Sequence, residues 1–219
     1  MPTSDYHQIS VLMHVIDQLA PKSILEIGVG FGKWGVLCRE LLEIGHGQQY
    51  PKERWTAKIH GIEIFSDYRN PIWSYVYDEV FVEDAKKRLE RDEQTYDLVM
   101  CLDVIEHFPK EEGRALLNLM LSRGKSVLLS SPLGFTEQGA VFGNEHERHL
   151  SGWGKEDFEG IPHHFVNVVS TFVCLLSRDP KIAEGVKTRR PLDSLGFKKG
   201  SVELGRVFAE RVRKRLHGQ

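Results

Sequence analysis

Three stretches of this chain hold residues whose types and spacing could do chemistry. In the run DVIEH, Asp103 and Glu106 are three apart and His107 is four from Asp103, so one helical turn would group two carboxylates and an imidazole. Such a group can take a proton from a reacting hydroxyl or amine. His107, with an ordinary pKa near neutrality, is the first choice for general base, with Glu106 beside it. The second stretch is the long polar segment FTEQGAVFGNEHERHLSGWGKEDFEG, residues 135–160, which carries Asn144, Glu145, His146, Glu147, Arg148, His149 and Trp153. Long irregular segments in compact domains tend to be functional, and this one reads as an active-site lid that offers His146 and His149 as further bases.

The third stretch, SILEIGVGFGKWG at residues 23–35, is a site for a ligand rather than for proton transfer. Ile24, Leu25 and Ile27 suit a buried strand, and Gly28, Gly30 and Gly32 follow at once. Glycines there allow positive φ and close approach of backbone to a ligand, and a helix starting after them aims free N–H groups at the same place. A nucleotide-like cofactor fits such a turn; a tight strand-to-helix turn with no ligand is the alternative. A dinucleotide fingerprint, G-x-G-x-x-G directly after the strand, fails from Gly28 because its third glycine position is Lys33. The register Gly30, Gly32, Gly35 fits but begins late. Glu26 at the strand end can accept hydrogen bonds from a cationic amine and would repel a pyrophosphate.

Glu26 with its glycines resembles motif I of the class I S-adenosylmethionine-dependent methyltransferases, and Asp103–His107 resembles the D-V-[IL]-E-H run after the fourth strand of many of them. Between the two, Glu63 and Asp84 fall in the family's order, each after a plausible strand, and the resemblance covers about residues 10–177. It implies S-adenosyl-L-methionine held by Glu26, Gly28, Gly30, Gly32, Glu63, Ile64, Asp84, Ala85 and Asp103. Within that set Glu63 would take the ribose hydroxyls and Asp84 would meet the adenine amine, although Asp84 also suits a helix cap. The implied activity is methyl transfer to an O or N atom of a small-molecule acceptor, such as a sugar, quinone or specialised metabolite. Glu106 and His107, with Asp103 and either His146 or His149, also resemble the Mg2+ or Mn2+ site of small-RNA terminal 2′-O-methyltransferases, with Asp103 in place of the first glutamate. The cofactor set above needs no metal. Other readings are a metal-assisted RNA methyltransferase, a non-catalytic partner-binding module, and a nucleotide-sugar or NAD-dependent oxidoreductase.

These stretches need a scaffold, and the apolar periodicity supplies one. Residues 6–20 space Ile9, Leu12, Val15 or Ile16, and Leu19 as an amphipathic helix that Pro21 ends; in the family such a helix covers the cofactor, with Tyr6 a candidate pocket residue. Trp34–Leu42 continues as a helix, and residues 43–57 read as a long polar loop. Strands follow at Lys58–Ile64, Val80–Val82, Tyr96–Leu102 and Ser126–Ser131, with helices after Asp84 and Pro109 and two closing strands at His164–Ser170 and Thr171–Ser177. The expected fold is α/β: a Rossmann-like, seven-stranded, mostly parallel sheet with helices on both faces and an antiparallel last strand. A C-terminal helical extension is appended.

Composition bounds the partners. The 219 residues suffice for one sizeable core, here residues 1–180, followed by a basic extension at 181–219 in which Leu204, Val207, Phe208 and Val212 share a helical face behind Ser201. That extension holds 11 Lys and Arg against 4 Asp and Glu, or +7, leaving 18 against 27, or −9, in the rest. So acidic a domain disfavours a nucleic-acid partner. The last helix would dock on the domain, pair with a second copy as a homodimer, or meet an anionic partner. No run is long enough to span a bilayer, and the N-terminus has no leader pattern, so a cytoplasmic protein is expected. Cys38, Cys101 and Cys174, far apart among apolar residues, suit reduced core thiols.

Overall fold

The computed structural model describes residues 3–186. Seven strands form one sheet in the order β3-β2-β1-β4-β5-β7-β6. They span Ser23–Ile27 (β1), Lys58–Glu63 (β2), Glu79–Val82 (β3), Tyr96–Leu102 (β4), Gly124–Pro132 (β5), His163–Val168 (β6) and Thr171–Leu176 (β7). β1 to β5 pair in parallel, whereas β7 runs antiparallel to both β5 and β6. Chain order reverses between β1 and β4, the place where an open parallel sheet leaves a crevice outside its strand ends.

Period-two alternation divides the core between the two faces of the sheet. Ile24, Leu98, Met100, Leu102 and Leu128 face α1 (Ile9–Leu19), α2 (Lys33–Arg39) and α3 (Pro71–Val76), meeting Leu12, Ile16, Trp34, Cys38 and Trp73. Leu25, Ile27, Val99, Cys101, Val127 and Leu129 face α4 (Ala85–Arg91) and α5 (Lys110–Arg123), meeting Leu89, Leu116, Leu117 and Met120. β4 and β5 are therefore apolar on both sides, as expected of central parallel strands. Each fully buried leucine or isoleucine contributes about 1.5–3 kcal/mol, so the center of the sheet holds the strand ends in place. All three cysteines are buried and free.

The expected elements are present, with two differences of extent. Residues 40–46, of which 43–46 are expected in a loop from their polarity, continue α2 without a break as π-helical turns. Their polar signal comes from burial of paired charge: Glu43 is buried and accepts hydrogen bonds from Thr56 N, Ala57 N and Arg39 Nη1. The turn joining β6 and β7 is only Val169–Ser170, and Val169 takes φ +54° there without glycine or asparagine, so no turn signature marked it. Past residue 180, Pro180–Gly185 forms α6, with Ala183 and Val186 buried. The amphipathic helix expected from Ser201 lies outside the described residues. Among the described residues no helix is long and apolar enough to cross a membrane.

The segment between β5 and β6 packs over the carboxyl end of the sheet. Its anchor is Trp153, whose carbonyl accepts from Gly134 N at 2.9 Å and whose ring lies buried between Phe158 and α5. Lys110 Nζ sits 4.0 Å from the center of that ring and also pairs with Asp157.

Candidate active site

A cavity of about 310 Å³ opens at the carboxyl ends of β1, β2 and β4, at the switch point. Its floor is the glycine turn. Gly28, Gly30 and Gly32 take φ of +78°, +51° and +96°, a region costly for any residue with a Cβ. At Gly28 a Cβ would in addition lie 2.4 Å from Val104 Cγ2. Gly28 and Gly30 line the cavity, while Gly32 stands behind them as the residue preceding α2.

Glu63, the last residue of β2, is the best-fixed polar group of the wall. Gly30 N donates to its Oε2 at 2.8 Å and Phe65 N to its Oε1 at 2.9 Å. Burial raises its pKa, against the lowering effect of those two N–H groups. Ile64 and Ala85 supply apolar wall beside it. Asp84 lines the cavity and also caps α4, accepting from Lys87 N at 2.9 Å, so the two roles open to it coexist in one side chain.

Asp103 lines the cavity from the end of β4, but not on a helical turn with Glu106 and His107. It takes φ +55°, which swings its carboxylate toward the N-terminal segment. There it accepts from Gln8 Nε2 at 2.6 Å, Asp5 N at 2.9 Å and Ser130 Oγ at 2.9 Å. The spacing argument that grouped all three residues fails at this backbone reversal; only Ile105–His107 form a short 3-10 turn.

Glu26 stands apart from the lining residues. It points to the α2–α3 side of the sheet, where Tyr77 Oη donates to its Oε2 at 2.6 Å and its Oε1 is buried without a partner. The residue expected to meet a cationic amine is thus enclosed behind the glycine turn. Tyr6 also stays outside the cavity, exposed and stacked on His7; Thr3 and Ser4 line it instead, with Lys33 Nζ donating to Ser4 O. Lys33 directly follows the last glycine of the turn, a position that could have flagged it. Ser4 and Gln8 carried no signal, because they reach the site through the path of the chain.

The histidines divide. His107 and His146 line the cavity, whereas Glu106 and His149 lie just beyond it. One ligand atom each from Glu106, His107 and His149 falls within 4.8 Å of the other two. The carbonyls of Arg148 and Thr136 accept from Nδ1 of His107 at 3.0 Å and of His149 at 2.6 Å. A carbonyl can only accept, so each Nδ1 carries a proton, and Nε2 is the nitrogen left to offer a lone pair when the ring is neutral. Burial lowers the His107 pKa, which favours this neutral form. Glu106 is 2% exposed with Oε2 unpartnered, and burial, then Asp103, raises its pKa well above the ordinary range. Two imidazole lone pairs and an orphaned carboxylate oxygen make a donor set that fits a divalent cation. Asp103, expected as a fourth ligand, is committed elsewhere.

No protein-family model and no curated protein matches the chain. Solved structures do. The methyltransferase domain of a bacterial Hen1 protein shares 17% identity at TM-score 0.54, over 80% of this chain and 100% of that one. The magnesium protoporphyrin IX methyltransferase of Synechocystis PCC 6803, solved with bound S-adenosylhomocysteine, shares 14% at TM-score 0.52, over 80% and 84%. A protein described as a putative Zn-dependent alcohol dehydrogenase of Rhodobacter sphaeroides shares 13% at TM-score 0.56, over 82% and 92%. The chain has the class I methyltransferase fold. The site must supply the rest.

Proposed function

We propose that the protein is an S-adenosyl-L-methionine-dependent methyltransferase acting on an O or N atom of a small-molecule acceptor. The observation that carries this reading is Glu63, fixed by Gly30 N and Phe65 N at the cavity wall beside Ile64 and Asp84. Carboxylates of Glu63, Asp84 and Asp103 line a site whose lysine, Lys33, is tied to Ser4. They suit a cofactor with a sulfonium and an ammonium group. A dinucleotide would bring its pyrophosphate against the same carboxylates, which argues against the dehydrogenase reading that the third structural neighbour suggests.

The cofactor supplies a methyl group on a good leaving group, so this chain must mainly align the acceptor, exclude water and take a proton. His107 and His146 both line the cavity, the first from the β4–α5 turn and the second from the lid. His107, neutral and with Nε2 carrying its lone pair, is the proton acceptor in this reading.

One observation favours a metal-assisted variant, the Glu106, His107 and His149 cluster. Those three residues would hold a cation such as Mn2+, whose Lewis acidity would lower the pKa of a bound acceptor hydroxyl. The resemblance to small-RNA 2′-O-methyltransferases is thereby strengthened at the cluster, but not at the cavity. Among the described residues no arginine lines the cavity, and its acidic side chains give a phosphodiester little to bind.

Calorimetric titration with S-adenosylhomocysteine and with NAD tests the reading. Micromolar binding of the first and none of the second is expected; folded protein that binds neither, or only NAD, overturns it.

A further inference from the structure

The lid is fastened at two places on opposite sides of the cavity. On one side it hangs from the β4–α5 turn: Leu150 N and Ser151 N donate to Glu106 O, Ser151 Oγ donates to Phe108 O, and His107 Nδ1 donates to Arg148 O. Between residues 138 and 149 it is closed on itself, because His149 N donates to Gln138 O at 3.1 Å and Gln138 Nε2 to Glu147 O at 2.7 Å. On the other side it meets Tyr68, whose hydroxyl donates to Glu147 Oε1 at 2.8 Å. Tyr68 ends a short 3-10 turn five residues past Glu63, and Asn70 Nδ2 donates to both Tyr68 O and Phe31 O, joining that turn to the glycine loop. Glu147 is buried, and both it and Tyr68 line the cavity with His146.

We propose that Tyr68 is a positioning residue that latches the lid across the cofactor cavity and so places His146 over the transfer site; the inference rests on the methyl-transfer reading of that cavity. The glycine loop, the Glu63 segment and the lid all bound the cavity, and Tyr68 with Asn70 ties the three together. A ligand held by Glu63 and the glycine loop therefore steadies the segment that carries the latch. Removing the hydroxyl leaves the ring in the cavity wall but breaks the hydrogen bond from Tyr68 to Glu147 Oε1. Replacing Glu147 by glutamine keeps an acceptor oxygen in the same place.

Hydrogen exchange of the full-length protein, with and without S-adenosylhomocysteine, tests this on wild type, Tyr68→Phe and Glu147→Gln. Amides of residues 138–149 should exchange about fivefold faster or more in Tyr68→Phe, while Glu147→Gln stays within about twofold of wild type and residues 23–35 are unchanged. S-adenosylhomocysteine should slow lid exchange in wild type and leave Tyr68→Phe with several-fold faster ligand release. Equal lid exchange in wild type and Tyr68→Phe overturns the latch. If the ligand alters exchange nowhere in wild type, the methyl-transfer reading fails, and the ligand-free comparison still decides whether Tyr68 holds the lid.

Discussion

Tyr77 Oη donates a 2.6 Å hydrogen bond to Glu26 Oε2, and neither side chain reaches solvent. Burial pushes the Glu26 carboxyl up to about 8 against the effect of that bond, and Glu63 nearby adds to the rise. The folded protein thus keeps a proton that the unfolded chain, with an ordinary value of 4.5, has released. The contribution of this group to stability is fully present below pH 4.5 and is lost as pH rises toward about 8. Denaturant unfolding should show wild type losing stability across that window by up to about 1.4 kcal/mol per pH unit from this group. In Glu26→Gln that contribution to the slope disappears; an identical pH profile for the two proteins would refute the assignment.

The two glutamates of the cofactor set should separate in binding. Glu63 lines the cavity and Glu26 does not. Glu63→Ala is expected to weaken S-adenosylhomocysteine by about 1.5–3 kcal/mol, the worth of hydrogen bonds to a charged group, or roughly tenfold to a hundredfold. Glu26→Gln keeps the shape of the enclosed pair and should change affinity by less than about threefold. Calorimetry on both variants, at a pH where circular dichroism shows them folded, decides; a larger loss in Glu26→Gln would place the cofactor amine at Glu26 after all.

Much of this arrangement was legible in the sequence, because strands and glycine turns announce themselves locally. The apolar runs of β1, β4 and β5, the glycines behind Glu26 and the acidic ends of β2 and β3 all depend on neighbours within a few residues. Side-chain direction and distant polar pairing were not legible. Asp103, Glu106 and His107 have helical spacing, yet φ +55° at Asp103 sends its carboxylate to Gln8, 95 residues away. Glu26 is paired with a tyrosine 51 residues on, and Glu43 looked like loop polarity because its partners Thr56 and Ala57 lie across a turn. Local periodicity records which face is apolar, whereas a buried carboxylate is defined by whatever donor the fold brings to it.

Gly28 offers a test of the turn itself. A Cβ there would meet Val104 Cγ2 at 2.4 Å in a backbone conformation, φ +78°, that disfavors side chains in any case. Gly28→Ala should therefore cost about 1–3 kcal/mol of stability and reduce S-adenosylhomocysteine binding. Adding Val104→Ala removes the clash but not the torsional strain, so the double variant should recover only part of the loss. Full recovery would mean that the clash alone matters, and no loss in Gly28→Ala would mean that the turn is more pliable than its geometry implies.

The donor cluster makes a prediction about which residues hold a cation. Glu106, His107 and His149 converge within 4.8 Å, while Asp103 is saturated by Gln8, Asp5 and Ser130. Two imidazole ligands favour a first-row transition metal over Mg2+, which prefers oxygen ligands. Titration of metal-free protein should therefore show Mn2+ binding more tightly than Mg2+, with His149→Ala and Glu106→Gln each reducing Mn2+ affinity tenfold or more, about 1.4 kcal/mol. Asp103→Asn keeps the size and shape of the side chain while removing its charge, and should leave Mn2+ affinity within about threefold of wild type. Equal losses in Asp103→Asn and Glu106→Gln would mean that Asp103 turns back into the cluster when metal binds. No Mn2+ binding by wild type would leave His107 acting without a metal, with His149 serving only to hold the lid through Thr136.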